Sequence, residues 1–317
     1  MEQNRREFIT TMAAAGAAMP FTKFRLSETV NPPEKRFPVS LFSKPIDAFD
    51  FGFMCECLNR SGIEGFDLTV RPGGKVIPEK VEEDLPRLAS EAKKFNLVID
   101  MMVTAILSPD DPFAENILKT AASSGVTHYR LGWAEYNNEK GILGTLKEYK
   151  HALTGIAGLN KKYKIHGGYQ NHAGARIGGP VWDLYELLKD LPPENIGCQY
   201  DVRHAMVEGA NSWVLGMKLL APYIKTLAIK DYTWQPVNGK PAAVTVPLGE
   251  GIVNWDLYFK TIKELNIAAP ITLHVEYPLF TKAEENYALA RKQDIIAAKF
   301  KKDMDFLNGC LLKYVLV

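Results

Sequence analysis

The feature that most constrains the fold of this chain is a repeated alternation of short apolar, β-rich runs with longer segments of helical periodicity. The eight β-rich runs cover residues 39–44, 65–71, 97–104, 128–132, 165–172, 196–204, 224–231 and 270–277. The helix-like segments lie near residues 47–60, 79–95, 112–123, 139–163, 180–190, 211–221, 254–266 and 282–307. Strands separated by helices pair in parallel, because a parallel pair needs a long crossover connection.

Parallel α/β repeats fold as a doubly wound sheet or as a closed barrel. A doubly wound sheet is expected to carry a glycine-rich phosphate turn after its first strand. Residues 44–50, KPIDAFD, contain no glycine. Eight units without that turn predict an α/β protein with a single (β/α)8 TIM barrel, which typically uses about 250 residues. Of the 317 residues, we therefore assign 38–317 to one barrel domain.

The first residues do not belong to this repeat. They read MEQNRREFITTMAAAGAAMP, a polar start with an arginine pair and then a run of small apolar residues, which is the layout of an export signal. Residues 4–9 resemble the twin-arginine signal motif, which implies export across the inner membrane of a bacterium. We expect a signal at 1–26, a linker at 27–37 and a periplasmic or exported protein. A cytoplasmic protein with an amphipathic or disordered amino-terminal tail is the alternative.

Charge and hydropathy exclude two classes of partner. The chain has 38 Lys and Arg against 37 Asp and Glu, a net charge of +1, so it lacks the basic footprint of a nucleic-acid-binding protein. Its amino-terminal apolar run is far shorter than the roughly 20 residues that span a bilayer. We therefore expect no nucleic acid, and no membrane association once the signal is removed.

Polar residues collect where the predicted strands end. These positions hold Lys44, Arg71, Arg130, Gln170, His172, Asp201, Lys230 and Glu276. In a (β/α)8 barrel the carboxyl ends of the strands converge, and the loops around them build the active site. We expect these side chains to share one site under two long loops, 71–78 and 231–253. Polar caps without a chemical role are the alternative.

Two carboxylates, Asp201 and Glu276, fall at positions where alternation along a strand can point both inward. Like charges this close raise the pKa of one carboxyl unless a cation lies between them. Mg²⁺ or Mn²⁺ is one candidate, because these ions prefer carboxylate and amide oxygens. The ammonium of Lys230, on the intervening strand, is the other.

Four short motifs follow one another along the chain. They are Asn171-His172, Asp201-x-x-His204, Ile229-Lys230-Asp231 and His274-Val275-Glu276. Their order resembles that of the xylose-isomerase-like TIM barrels, a superfamily of sugar and sugar-phosphate isomerases and epimerases that also includes the endonuclease IV type of phosphodiesterase. The resemblance covers residues 38–307 and implies the barrel fold.

Members of this superfamily commonly hold a divalent metal through a Glu on strand 5, an Asp on strand 6, a His on strand 7 and a Glu on strand 8. The resemblance carries this role to Asp201 and Glu276, and makes His204 the counterpart of a substrate-contacting histidine. The other two positions depart, because Gln170 replaces the Glu and Ala228 replaces the His.

This departure leaves two interpretations of the metal. In one, a weakened site for Mn, Mg or Zn is formed by Gln170, Asp201 and Glu276, with His172 or His274 as a substitute ligand. In the other, the metal has been lost.

The resemblance implies chemistry that begins with removal of a proton beside a carbonyl, or with a hydride shift, while the metal steadies the oxyanion. Without a metal, Lys230 and Arg203 would stabilise an enediolate and Glu276 would act as the base. We therefore predict Glu276, Lys230 and His204 as the catalytic group. A former active site, in which lysine and carboxylate form a structural ion pair, is the alternative.

The predicted substrate-binding residues are Lys44, Arg71, Arg130, His172 and Arg203. The expected partner is a small-molecule carbohydrate or keto-sugar, and the expected activity is that of an isomerase, an epimerase or a related lyase. A non-catalytic carbohydrate-binding barrel is the second hypothesis. Endonuclease chemistry ranks last, because it needs several metals with more His and Glu ligands, and a basic face. The sequence is compatible with a homo-oligomer.

Overall fold

Eight parallel strands close into a barrel in the computed structural model, which describes residues 37–314. The strands of the described residues are β1 (Val39–Phe42), β2 (Gly65–Thr69), β3 (Val98–Val103), β4 (His128–Arg130), β5 (His166–Gln170), β6 (Ile196–Asp201), β7 (Ile224–Ile229), β8 (Asp231–Val237), β9 (Lys240–Val246) and β10 (Ile271–Leu273). Around the barrel the order is β1-β10-β7-β6-β5-β4-β3-β2, and every pair in it is parallel. The predicted single (β/α)8 barrel is confirmed.

Helices follow the barrel strands and cover the outside of the barrel. They are α1 (Phe51–Ser61), α2 (Val81–Lys94), α3 (Ala114–Ser124), α4 (Gly141–Tyr163), α5 (Val181–Leu188), α6 (Val202–Gly209), α7 (Trp213–Leu220), α8 (Trp255–Glu264) and α9 (Leu289–Lys313). No helix within residues 37–314 is long and apolar enough to cross a membrane. The predicted signal, 1–26, and all but the last residue of the predicted linker, 27–37, lie outside the described residues.

The helix boundaries follow from capping chemistry. The carboxylate of Asp50 accepts a hydrogen bond from the Gly52 amide and begins α1. Asn254 accepts in the same way from the Leu257 amide, as its position before α8 predicts. Gly62 ends α1 with a φ of 77°, a left-handed conformation that glycine adopts without steric cost.

The sixth strand is shorter than predicted. Residues 196–204 have the composition of a strand, yet β6 ends at Asp201 and α6 begins at Val202. One carboxylate oxygen of Asp201, Oδ1, accepts from the His204 amide at 3.0 Å, which makes Asp201 the helix cap. His204 therefore lies in the first turn of a helix, directly above the end of the strand.

The predicted loop 231–253 contains an antiparallel hairpin of β8 and β9. Its tip is Asn238-Gly239, with φ values of 51° and 76°. Two consecutive positive φ values form a type I′ turn, and Asn-Gly is the sequence that favours it. This dipeptide was the signal for the hairpin, which the many prolines and glycines of the segment obscured.

Asp231 fastens the base of this hairpin to the barrel. Its buried carboxylate accepts hydrogen bonds from the Trp255 indole and from four backbone amides, those of residues 232, 249, 251 and 253, at 2.8–3.1 Å. A Cβ at Gly251 would overlap this carboxylate, so the close approach requires glycine. The Asp231 side chain thus holds residues 249, 251 and 253 of the segment that follows β9.

The interior of the barrel is polar below its carboxyl end. Asp67, on β2, is fully buried, and its Oδ2 accepts from the Thr272 hydroxyl at 2.7 Å, while Oδ1 has no hydrogen-bond partner. Burial raises the pKa of Asp67 to about 7, and the Thr272 hydrogen bond and the charge of Arg130 offset this only in part.

Asp67 should make the stability of the fold depend on pH. An unfolded aspartate has a pKa near 3.9, so between roughly pH 4 and 7 the folded chain holds a proton that the unfolded chain releases. The free energy of unfolding is then expected to fall as the pH rises through this range. Asparagine is neutral at every pH, so in Asp67→Asn the decrease in the free energy of unfolding over this pH range should be smaller by about 2–4 kcal/mol. Urea unfolding of both proteins at pH 5 and pH 8 measures it. A difference between the two proteins that stays constant with pH would contradict the assignment.

Candidate active site

A small cavity of about 50 Å³ opens at the carboxyl end of the barrel. Its lining residues come from six strand ends and are Phe42, Lys44, Arg71, Arg130, Trp133, Gln170, His172, Lys230, His274 and Glu276. This is the end of a (β/α)8 barrel at which active sites are built. The cavity is therefore the candidate active site.

A wider groove of about 530 Å³ continues from the cavity. It shares Lys44 and Glu276 with the cavity and extends over the segment that follows β10, where Tyr277 and Phe280 line it. The small cavity has room for a few water-sized groups of a small molecule, since one water needs about 10–15 Å³ of such a volume. The adjoining groove supplies the volume that the remainder of a monosaccharide needs.

The ammonium of Lys230 lies between two carboxylates at this site. Its Nζ is 2.9 Å from Oε2 of Glu276 and 3.1 Å from Oδ2 of Asp201. The side chains of Lys230 and Asp201 are 5% and 0% exposed, whereas that of Glu276 is 27% exposed. Glu276 is thus the carboxylate that a ligand in the cavity can reach.

Both carboxylates are held in the charged form. Burial would raise the pKa of Glu276, but the adjacent Lys230 ammonium and His274 lower it far below its usual range. For Asp201, burial is likewise outweighed by His204 and Lys230, so its pKa is also lowered. The three groups form a compact unit with one positive and two negative charges.

Arg130 and Gln170 extend this unit by two hydrogen bonds. Arg130 Nη1 donates to Gln170 Oε1 at 2.8 Å, and Gln170 Nε2 donates to Asp201 Oδ2 at 2.8 Å. A guanidinium can only donate, so the oxygen of Gln170 must face Arg130 and its amide nitrogen must face Asp201. The neighbouring Asn171 fixes the backbone of Asp201 through two further hydrogen bonds, of 2.8 and 2.9 Å.

Three aromatic rings lie in a row at one side of the site, each tilted against the next. His172 lies between His204 and Trp133, with ring centroids 3.9 and 4.4 Å away. His172 Nδ1 is 2.9 Å from the carbonyl oxygen of Ala173, which can only accept, so the proton of the neutral ring is on Nδ1 and Nε2 has a free lone pair. Burial and Lys230 lower the pKa of His172 to about 4, so the ring is neutral at pH 7.

His204 has the opposite tautomer. Arg203 Nη1 donates to its Nδ1 at 2.9 Å, which leaves the proton on Nε2, 3.8 Å from Asp201 Oδ2. Burial lowers the pKa of His204 well below its ordinary value. His204 therefore lies behind Asp201 as a neutral neighbour and does not line the cavity.

Most of the predicted site residues meet at this cavity. Those that line it are Lys44, Arg71, Arg130, Gln170, His172, Lys230 and Glu276, and Asp201 lies directly behind them. Arg203 does not line it, because its Nη2 donates to the carbonyl oxygen of Ala243 on β9 and its guanidinium lies over the ring of Tyr232. The reason is that β6 ends at Asp201. Arg203 therefore lies in α6, and its side chain extends toward the β8–β9 hairpin.

Of the other lining residues, Phe42 was not predicted, and His274 was predicted only as a substitute metal ligand. His274 stacks on Phe42 with centroids 4.5 Å apart, and its Nδ1 is 3.6 Å from Glu276 Oε2. Burial lowers the pKa of His274 and keeps the ring neutral. Side chains alternate along a strand, so residues two apart share a face. Phe42 lies two residues before Lys44, and His274 lies two residues before Glu276, so alternation places both on the inward face.

A family model described as "Xylose isomerase-like TIM barrel" matches residues 56–299. The chain belongs to this family. No curated protein matches the chain.

Solved structures share the fold at low sequence identity. A zinc-bound IOLI protein has a TM-score of 0.67 at 15% identity, over 88% of this chain and 99% of that one. D-psicose 3-epimerase with D-tagatose, from Clostridium cellulolyticum H10, has a TM-score of 0.65 at 11% identity, over 87% and 99%. The probable 3-DHS dehydratase AsbF from Bacillus anthracis has a TM-score of 0.61 at 18% identity, over 84% and 98%.

The residues around Asp201 and Glu276 do not fit a divalent metal. The Lys230 ammonium lies within 3.1 Å of both carboxylates, where a metal that bridges them would have to be. Gln170 directs its amide nitrogen, not its oxygen, at Asp201, and Ala228 has no donor atom. Within residues 37–314, no three His, Cys, Asp or Glu side chains are grouped so that they could hold a metal.

Proposed function

We propose that this protein is a sugar isomerase or epimerase that removes a proton from the carbon beside the carbonyl of a keto-sugar, with the Lys230 ammonium as the cation of its active site. The observation that carries the proposal is the position of Lys230 Nζ, 2.9 Å from the accessible carboxylate of Glu276 at the wall of a cavity. A base and a fixed positive charge, side by side, are what enolisation requires.

Glu276 is the base in this proposal. Its carboxylate takes the proton from the substrate carbon, the electrons of the C–H bond form a C=C bond, and the carbonyl oxygen becomes an enolate oxygen. The negative charge therefore moves from Glu276 to the substrate. Lys230 lowers the pKa of Glu276 in the absence of substrate. As the step proceeds, Lys230 can transfer its hydrogen bond from Glu276 to the new oxyanion, so Glu276 becomes a stronger base as it takes the proton, and the net charge of the site does not change.

Return of the proton determines the product. Delivery to the same carbon from the opposite face inverts that centre. Delivery to the former carbonyl carbon, together with transfer of the hydroxyl proton of the neighbouring carbon to the enolate oxygen, moves the carbonyl along the chain. His172 lines the same cavity and has a free lone pair on Nε2. It is the second group in the cavity through which a proton can be exchanged.

Solved structures with the same fold include sugar epimerases, whose reaction agrees with this chemistry. They include D-psicose 3-epimerase in the presence of D-fructose and an L-ribulose 3-epimerase. At sequence identities of 12% and 14%, these similarities show only a shared fold. The sugars of these epimerases are therefore the first ones to test.

Solvent deuterium exchange tests the proposal directly. Incubation of four neutral ketoses (D-fructose, D-psicose, D-tagatose and L-ribulose) and one anionic ketose (D-fructose 6-phosphate) with the protein in D₂O should place deuterium on the carbon beside the carbonyl of at least one sugar, as measured by NMR. Glu276→Gln cannot accept a proton and should reduce the exchange rate by about 10²- to 10⁴-fold. Glu264→Gln, an exposed position on α8, is the matched control and should leave the rate unchanged.

The same experiment separates the competing functions. Sugar binding without exchange in any of these ketoses would contradict the proposal and favour a carbohydrate-binding barrel. Exchange accompanied by an unsaturated product would identify a lyase, in which the same proton abstraction is followed by loss of a leaving group. Equal rates for Glu276→Gln and the wild type would exclude Glu276 as the base.

A further inference from the structure

We propose that the substrate carries an anionic group, a carboxylate or a phosphate, which Arg71 and Arg130 bind in the cavity. This inference rests on the proposed function, because it names the substrate class of the same site: an acidic keto-sugar, as opposed to a neutral one.

The guanidinium of Arg130 is buried without a carboxylate partner. Its residue is 3% exposed, and its side-chain hydrogen bond within the described residues goes to the neutral Gln170. The buried Nε has no hydrogen-bond partner among residues 37–314. A buried charge without compensation costs several kcal/mol, so this arrangement is unfavourable unless a ligand completes it.

The free edge of Arg130 has the geometry that binds oxyanions. Nη1 donates to Gln170, whereas Nε and Nη2, which point in the same direction, donate to no described residue. Two parallel N–H groups of this kind match the two oxygens of a carboxylate, or two oxygens of a phosphate. The faces of the guanidinium lie near the rings of Trp133 and Phe42, which hold it in place.

Arg71 brings a second guanidinium to the same cavity. It is half-buried, and it forms no ion pair or side-chain hydrogen bond with another residue of the described chain. Burial, together with the like charge of Arg71, lowers the pKa of Arg130 to about 10, which still leaves Arg130 charged at neutral pH. Two like charges near each other without a partner are stabilised by an anion that binds both.

The net charge of the residues that line the cavity also favours an anionic ligand. Lys44, Arg71, Arg130 and Lys230 line it, against Glu276 alone. Asp201, behind the wall, adds a second negative charge, and Lys230 already neutralises part of this pair. The lining thus keeps an excess of two positive charges in a chain whose overall net charge is +1. An electropositive cavity in a near-neutral protein attracts anionic ligands.

Buried Asp67 removes this excess only in part. Burial raises the pKa of Asp67 to about 7, so at neutral pH its carboxyl is partly protonated, and among the described residues neither of its oxygens accepts a hydrogen bond from a guanidinium. The carboxylate of Glu276 repels an anionic group, whereas the adjacent Lys230 ammonium attracts the carbonyl oxygen at the reacting end of the substrate. The anionic end therefore belongs on the side of Arg71 and Arg130.

Calorimetric binding of four probes tests the inference: D-glucuronate for a carboxylate, D-fructose 6-phosphate for a sugar phosphate, inorganic phosphate, and D-fructose as the neutral sugar. At least one anionic sugar should bind about 10- to 100-fold more tightly than D-fructose. Its affinity should fall as salt is added. D-glucuronate and D-fructose 6-phosphate distinguish the carboxylate from the phosphate.

Arg71→Gln is the variant of choice, because Arg71 is half-buried in a loop and its replacement should leave the fold intact. It should weaken binding of the preferred anionic sugar about 10- to 100-fold more than binding of D-fructose. Arg87→Gln, exposed on α2 and paired with Asp84, is the matched control and should change neither affinity.

Failure to find any anionic probe that binds more tightly than D-fructose would overturn the inference, as would an Arg71→Gln protein with unchanged affinities. Inorganic phosphate bound alone, without a gain for either anionic sugar, would likewise contradict it. Binding of an acidic sugar without proton exchange would keep this inference and contradict the proposed function. Exchange confined to neutral ketoses would do the reverse.

Discussion

Lys230→Met is expected to reduce the rate of proton exchange by about 10³-fold or more. The substitution keeps the length of the side chain but removes the charge between Asp201 and Glu276. The enolate oxygen then forms without a cation beside it. The measurement is the rate of deuterium incorporation into the ketose that the wild-type protein exchanges fastest.

The control for this variant lies on the same strand. Lys225→Met, near the start of β7 and at the opposite end of the barrel, removes the same charge away from the cavity and should retain the wild-type rate. Circular dichroism should show that both variants are folded. A Lys230→Met protein with more than a tenth of the wild-type rate would contradict the assignment of Lys230 as the active-site cation.

The same variant should also acquire affinity for a divalent metal. Without the ammonium, Asp201 and Glu276 form a pair of uncompensated carboxylates, which Mn²⁺ or Mg²⁺ can bridge. Elemental analysis after dialysis against Mn²⁺ should find more metal in Lys230→Met than in the wild-type protein. Stoichiometric metal in the wild-type protein, with exchange activity lost on chelation, would contradict the conclusion that these residues do not fit a divalent metal.

Asp231→Ala is expected to lower the free energy of unfolding by about 3–5 kcal/mol. The substitution leaves the Trp255 indole and four backbone amides, which now donate to the Asp231 carboxylate, without their acceptor in a buried environment. Since these amides lie in residues 232–253, the segment after β9 should lose its order first.

Urea unfolding measures this effect. Asp305→Ala is the matched control, because Asp305 is exposed on α9 and pairs only with Lys301, one turn away. An exposed pair of this kind contributes at most about 0.5 kcal/mol. A loss of less than 1 kcal/mol for Asp231→Ala would mean that water replaces the carboxylate at little cost.

The architecture could be predicted from the sequence because it depends on a pattern that repeats. Eight apolar runs separated by helical segments predict parallel strands, and the lack of glycine after the first run favours a barrel over an open sheet. The same pattern located the site, because the polar residues from Lys44 to Glu276 end their strands on one side of the barrel. An error of a few residues in any one element does not change this arrangement.

Individual side-chain directions could not be predicted in the same way. Arg203 falls on the inward face if residues 196–204 are a strand, and it turns toward the hairpin because Asp201 caps a helix two residues earlier. The Asn238-Gly239 turn was visible in the sequence, but the surrounding prolines and glycines indicated a loop. Such local competition between capping, turn and strand is decided by the packing around it.

The sequence by itself determined the barrel, the end of the barrel that carries the site, and the membership of a carbohydrate-related superfamily. It left open whether a metal or Lys230 lies between Asp201 and Glu276, because residues 201, 230 and 276 are far apart along the chain and their distances depend on how the strands tilt and register. Only the tertiary structure brings the Lys230 ammonium within 3.1 Å of both carboxylates and leaves the buried edge of Arg130 without a partner. Electrostatic interactions fall off over a few ångströms, so the chemistry of this site depends on distances that no sequence pattern contains.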